Sequence, residues 1–300
     1  MSTTASPGLD AFAALVDDAA VFPPENAAVP DAVRAHAEHR AAWYSGLVGG
    51  FVCSDTRLTE LQAALDAAGD GAPTPLGVTL TISGGAGAVG PALTWVQRDE
   101  RLRLTGLEVA LRDEDDLGHN AARMTTVLRD APDDVTAYVE MPRLHGTGIP
   151  AGWAAALDEV AAAGLRVKFR TGGLDHDAFP GAAELAEVIA ASLDRETPFK
   201  CTAGLHHAVR HTDDRTGFEH HGFLNVLLAT RALFDGGSGA DAEKLLEQRE
   251  SADVGEQVRA LGTAGVRSTR RWFTSLGSCS VLEPVDDLVD LGLISRGGAA

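Results

Sequence analysis

Reactive chemistry in this 300-residue sequence is best sought among its cations. Of the 25 basic residues, 22 are arginine and three are lysine: Lys168, Lys200 and Lys244. A lysine amine can give up its proton when desolvated and then attack a carbonyl carbon; an arginine guanidinium cannot. In a chain that uses arginine for routine surface charge, each lysine marks a place where that difference can count. Lys244 lies in ADAEKLLEQRE, an amphipathic stretch with acidic neighbours at helical spacing, and reads as a solvated surface residue. The other two sit in apolar, strand-like runs, RVKFRTGG and PFKCTAGLHH. Two further runs each carry an isolated carboxylate, GLEVAL with Glu108 and AYVEMP with Glu140. Such carboxylates can shuttle the protons of carbinolamine dehydration and of abstraction beside an iminium carbon. Lysines on adjacent strands would also repel, pushing one amine toward its neutral, nucleophilic form.

Positioning these residues requires strands, and the sequence supplies them in a repeat. Apolar runs with β-branched residues fall at 14–22, 46–53, 75–83, 104–112, 135–142, 165–173, 198–205 and 223–230, spaced by roughly 30 residues as in successive strand–helix units. Helical patterns lie between them, at 56–69, 152–164 and 182–194. Eight strands alternating with helices predict a single-domain (β/α)8 TIM barrel over 1–300, with its strands within 14–230 and residues 240–300 as a helical C-terminal extension. The alternative, a doubly wound open sheet, lacks its GxGxxG fingerprint. SGGAGAVG (83–90) has the wrong spacing and no evident helix after it, and reads as plain loop.

Side-chain parity then sorts the strands into two faces. Leu76, Val78, Leu80 and Ile82 oppose Gly77, Thr79, Thr81 and Ser83; Thr105, Leu107 and Val109 oppose Gly106, Glu108 and Ala110. Val135, Ala137, Val139 and Met141 oppose Thr136, Tyr138 and Glu140; Leu165, Val167 and Phe169 oppose Arg166, Lys168 and Arg170; Phe199 and Cys201 oppose Lys200 and Thr202. With the apolar sets against the helices, the barrel interior holds two carboxylates and three cations: Glu108, Glu140, Lys168, Arg170 and Lys200. A structural ion network is one reading of that interior. An active site at the C-terminal ends of the strands is the preferred one, because this fold places its chemistry there.

Composition sets the outer bounds. A net charge of −18 opposes binding to nucleic acid or acidic membranes, and no local basic patch offsets it. No apolar stretch is long enough to span a membrane, and the N-terminal segment has no signal-peptide pattern, so a cytoplasmic protein is expected. Three scattered cysteines, Cys53, Cys201 and Cys279, fit a reducing compartment, and no base can be assigned to Cys279 from sequence. The expected partner is a small-molecule substrate, with a homo-oligomer left open.

In the order of these motifs the chain resembles class I aldolases of the deoxyribose-phosphate aldolase type, over residues 14–230. LVDDAAVFPP matches the family's early acidic strand loosely, and GLEVAL and AYVEMP stand for its fourth and fifth strands. VKFRTGG stands for the sixth strand and FKCTAGL for the seventh. The resemblance implies a TIM barrel lyase without a cofactor, with Lys168 as the Schiff-base lysine, Lys200 as the second lysine, and Glu108 and Glu140 in proton transfer. Departures are as telling. Arg170 occupies the neighbourhood where the family has a serine, and neither GLHHAVRH nor FLNVLLATR carries a phosphate-binding glycine–serine turn. Since a guanidinium forks onto a carboxylate, the expected substrate is a small, carboxylated, non-phosphorylated carbonyl compound. Arg170, Thr202, His206, His207 and, on the eighth strand, Asn225 form the expected substrate-binding set.

A rival chemistry comes from the histidines. His206, His207, His211, His220 and His221 crowd the segment after the seventh run, and His207 and His211 have the spacing of one helical face. A divalent metal such as zinc on His206, His207 and His211, serving a barrel hydrolase or lyase, is the first alternative. HHAVRH lacks the glutamate of HExxH, however. A non-catalytic protein whose cationic interior holds a small anion is the second. Two weaker features remain. FPPEN (22–26) reads as a proline turn with Glu25 and Asn26, and Ser278, Cys279 and Ser280 are placed over the barrel mouth ahead of a final helix near Pro284.

Overall fold

The computed structural model describes residues 6–68, 75–112 and 115–296. Its strands are β1 (Val16–Asp18), β2 (Val48–Ser54), β3 (Leu76–Ile82), β4 (Leu102–Ala110), β5 (Thr136–Glu140), β6 (Arg166–Arg170), β7 (Phe199–Thr202), β8 (His211–Thr212), β9 (Glu219–His220) and β10 (Phe273–Ser278). Eight of them close a parallel barrel in the order β1–β2–β3–β4–β5–β6–β7–β10, as the (β/α)8 expectation requires, while β8 and β9 form a separate antiparallel pair. Helices α1 (Val29–Ala41), α2 (Leu58–Ala68), α3 (Ala86–Gln97), α4 (Leu117–Leu128), α5 (Ala151–Ala162) and α6 (Ala182–Asp194) alternate with the strands. Helices α7 (Phe223–Phe234), α8 (Gly239–Glu247) and α9 (Ser251–Arg270) then intervene before β10, and α10 (Leu282–Asp290) ends the fold. None of the described helices is long and apolar enough to cross a membrane.

Outward parity builds the jacket as the sequence pattern dictates. Phe169, Phe199 and Phe273 lie on neighbouring strands β6, β7 and β10, with successive ring centroids 5.6 Å apart, and Trp153 of α5 stacks on Phe169 at 6.4 Å. All four are buried, and each contributes about 1.5–3 kcal/mol of burial free energy. Truncating Phe199 to alanine would open a cavity where the last two strands meet, at a cost of about 3–5 kcal/mol.

Four expectations need correction. The run 223–230 is not the eighth strand but the first two turns of α7, in which every residue from Phe223 to Thr230 is buried. A segment apolar on all sides has no period from which helix and strand can be told apart. The eighth barrel strand is instead β10, so the barrel continues into the segment assigned to a helical extension. Helix α3 begins within the glycine-rich 83–90 segment, one residue after Gly85, whose φ of 66° lets the chain turn sharply out of β3, so the segment is not plain loop. Finally, the register between β3 and β4 shifts, with Val78 opposite Leu104 but Thr79 opposite Gly106. That bulge returns Thr105 to the barrel interior, where its Oγ1 donates to the carbonyl of Val78 at 3.1 Å.

Candidate active site

Glu140, Lys168 and Lys200 lie in one register row across β5, β6 and β7, since Glu140 pairs with Lys168 and Lys168 with Lys200. Parallel pairing at these positions points all three side chains inward, and Glu108 of β4 enters between the two amines. Lys168 Nζ donates to Glu108 Oε2 at 2.6 Å and stands 2.8 Å from Glu140 Oε2. Lys200 Nζ donates to Glu108 Oε1 at 2.6 Å and to Asp17 Oδ2 at 2.5 Å. At the rim, Arg170 Nε donates to Glu140 Oε1 at 3.1 Å. Asp17 of β1 is the member that side-chain parity did not identify: it also accepts from Ser275 Oγ at 2.8 Å and from the Gly50 amide at 3.2 Å. A three-residue strand offers too few positions for parity to be read, although the loose motif match did fall on this segment.

The network is therefore balanced, with three carboxylates facing three cations. Balance matters because the Lys168, Lys200 and Glu108 side chains are only 5%, 1% and 3% exposed, and unpaired charges at that depth would be costly. Burial alone would raise the pKa of Glu108, but the two ammonium groups against it outweigh burial and hold it at about 2. Glu140 is lowered in the same way, burial being overcome by Lys168 and Arg170. For the lysines the balance runs opposite to expectation. Burial lowers each amine's proton affinity, yet Glu108 and Glu140 raise Lys168 overall, and Asp17 and Glu108 raise Lys200. Neither amine is neutral in the resting protein, because Glu108 stands between them and replaces mutual repulsion with two attractions.

Above the network opens a cavity of about 830 Å³ at the C-terminal ends of the strands, the end at which this fold carries active sites in characterised enzymes. Glu108, Glu140, Lys168, Arg170, Thr202, His206 and His207 all line it, seven of the nine expected site residues; Lys200 lies beneath, tied to Glu108 and facing the opposite end of the barrel. Asn225 does not line it. It is fully buried in α7, where its Nδ2 donates to the carbonyls of Leu245 and Gln248 at 2.7 and 2.9 Å and its Oδ1 accepts from the Arg210 amide at 2.9 Å. It ties α7 to the C-terminal end of α8 and to the loop before β8, and its placement in the substrate set fails with the eighth-strand assignment. The proline segment forms a turn, as expected, with Phe22, Pro23, Pro24 and Glu25 on the cavity wall.

The histidine segment is a loop followed by β8, so His207 and His211 do not share a helical face, although their rings meet edge to face at 4.7 Å. His206 Nδ1 is bound to Glu283 Oε2 at 2.8 Å, and His207 Nδ1 to Asp287 Oδ2 at 3.2 Å, both carboxylates coming from α10. Burial would lower His206, but Cys279 and Glu283 raise its pKa overall. His221 lies in the core, its Nε2 at 2.8 Å from the Pro180 carbonyl, with burial pushing it down to about 4. Among the described residues no group of three or more His, Cys, Asp or Glu side chains is arranged to hold a metal ion, so the ligand set His206, His207 and His211 does not form. Cys279, to which the sequence assigned no partner, has an imidazole beside it. Its Sγ lies 3.7 Å from His206 Nε2 on the cavity wall, an arrangement made only when β10 and the β7–β8 loop meet. Set against models of protein families, curated proteins and solved structures, the chain matches none of them.

Proposed function

We propose that the protein is a carbon–carbon lyase, aldolase-like in mechanism, that forms a Schiff base between Lys168 and a small carboxylated carbonyl compound. The observation that carries this reading is Lys168 Nζ held between two carboxylates, 2.6 Å from Glu108 and 2.8 Å from Glu140, at the floor of the mouth cavity. Arg170, at 44% exposure the most accessible member of the network, takes the substrate carboxylate. Doing so draws the guanidinium away from Glu140, whose basicity rises. Glu140 then accepts a proton from the Lys168 ammonium, and the freed lone pair attacks the carbonyl carbon. The resulting alkoxide takes that proton back from Glu140, and loss of water leaves an iminium. Its nitrogen receives the electron pair of the C–C bond as the bond breaks, while Glu140, again a carboxylate, accepts the proton of the β-hydroxyl group and later returns it to the enamine carbon. Glu108 keeps its charge throughout, since Lys200 holds its second oxygen at 2.6 Å, and positions Lys168.

One observation favours a second reading. Each amine is bracketed by two carboxylates, which favours its ammonium form and suits a protein that binds a small anion or an enolate through fixed ammonium groups without a covalent bond. Borohydride reduction in the presence of a panel of 2-keto acids and aldehydes separates the two. Mass spectrometry should find Lys168 alkylated by the substrate's carbon skeleton under the first reading. Binding with no lysine modified under any carbonyl compound overturns it in favour of the second.

A further inference from the structure

The opposite end of the barrel carries its own cavity, of about 560 Å³, which the proposed reaction does not use. We infer that it is a binding site for a small multivalent oxyanion, a phosphate ester or a polycarboxylate. Barrels of this type fill their interior with layers of Val, Ile and Leu. Here the layer beside the strand starts is built from the hydroxyls of Thr79, Thr105, Thr136, Thr274 and Ser275. Glycine is needed beside them: a Cβ on Gly106 would come within 2.8 Å of Thr79 Oγ1, and one on Gly50 within 3.0 Å of it. The interior is thus shaped around hydroxyl groups, and the apolar side chains on its wall are three alanines, Ala11, Ala13 and Ala14, and the ring of Tyr138.

The charge is equally specific. Arg166, Arg267, Arg270 and Arg271 line the cavity together with Lys200, against two carboxylates, Asp10 and Asp17. Asp17 is committed to Lys200 at 2.5 Å, and Asp10 reaches only Arg267, at 3.7 Å. Among the described residues no carboxylate lies within salt-bridge distance of Arg166, Arg270 or Arg271. Arg166 instead leans on Tyr138, its guanidinium 5.9 Å from the ring centroid, and Arg270 is anchored by main-chain carbonyls such as that of Phe273 at 3.1 Å. An excess of fixed cations in a chain of net charge −18 is the reverse of what surface statistics would produce. Guanidinium forks and hydroxyl donors are the groups that recognise phosphate and carboxylate oxygens, and the volume lies in the range of small-ligand sites.

The test is isothermal titration calorimetry on the full chain with inorganic pyrophosphate and, separately, citrate, at constant ionic strength. Saturable binding of either probe is expected, and the stronger of the two identifies phosphate or polycarboxylate as the ligand class. Arg166→Gln and the exposed Arg271→Gln should each weaken it roughly tenfold or more, while Arg34→Gln, on the exposed face of α1 and in neither cavity, should leave the affinity unchanged. Circular dichroism melting checks that each variant folds, and Arg271, on the rim, is the variant that folding defects cannot confound. Absence of saturable binding by both probes, or binding that Arg166→Gln and Arg271→Gln leave intact, overturns the inference.

Discussion

The two ends of this barrel are both lined by cations, yet they use different ones. At the C-terminal mouth the buried cation is Lys168, between Glu108 and Glu140, with imidazoles of His206 and His207 on the wall. At the N-terminal end the cations are arginines over a floor of hydroxyls, and Lys200 with Asp17 forms the partition that joins the two. The mouth combines one guanidinium, Arg170, with side chains that can carry or release a proton, Lys168, Glu140, His206 and His207, whereas the opposite end relies on guanidinium groups, which keep their charge under all ordinary conditions. Even Arg270, which burial lowers to about 10, stays charged at neutral pH. The scarcity of lysine thus acquires a spatial meaning: two of the three lysines stand side by side inside the barrel, Lys168 facing the mouth and Lys200 the opposite end, while the opposite end otherwise draws its charge from arginine.

The sharpest way to break this contrast is at Lys168. Lys168→Met should abolish the borohydride-trapped adduct entirely and leave the protein folded, since Glu108 keeps Lys200 and Glu140 keeps Arg170; an adduct that persists on Lys200 would exchange the roles of the two lysines. Glu140→Gln comes next. Turnover should fall by about 10²–10⁴-fold, the usual worth of a positioned proton shuttle, with substrate affinity less affected, which steady-state kinetics resolves into kcat and KM.

The partition should be a matter of stability. Lys200→Met removes the only ammonium facing Asp17 among the described residues and half of the charge facing Glu108, so chemical denaturation should register a loss of about 3–5 kcal/mol. Acid tests the same network. The depressed pKa of Glu108 contributes stability that is complete above its ordinary value of 4.5 and is lost as the pH falls toward about 2, so the denaturation midpoint should drop across that window. The raised Lys168 has the opposite sense for chemistry: trapping should accelerate as the pH rises above neutrality, because the ammonium must lose its proton first. Smaller effects sharpen the assignments. Arg170→Gln should raise KM for 2-keto acids by roughly tenfold relative to uncharged aldehydes. Asn225→Ala should cost about 1–3 kcal/mol of stability and leave the trapping yield per folded molecule unchanged.

What the sequence determined by itself was the barrel, seven of its eight strands and the inward row of charges. Those follow from local physics: the two-residue alternation of a strand is written in the chain, and a polar residue at Glu108, Glu140, Lys168 or Lys200 betrays the inward face by interrupting it. Tertiary structure decided the rest, because each remaining feature joins segments distant in sequence or lacks a periodic signal. The run 223–230 is buried on all sides, so only its packing against neighbouring elements fixes it as α7 and leaves Phe273–Ser278 to close the barrel. Thr105 turned inward through a bulge that its own sequence does not announce. Most consequential was Asp17, 183 positions from Lys200, which together with Glu108 reversed the expected direction of the lysine's pKa. Proton affinity depends on which charges stand within a few ångströms, and that is a property of the closed barrel alone.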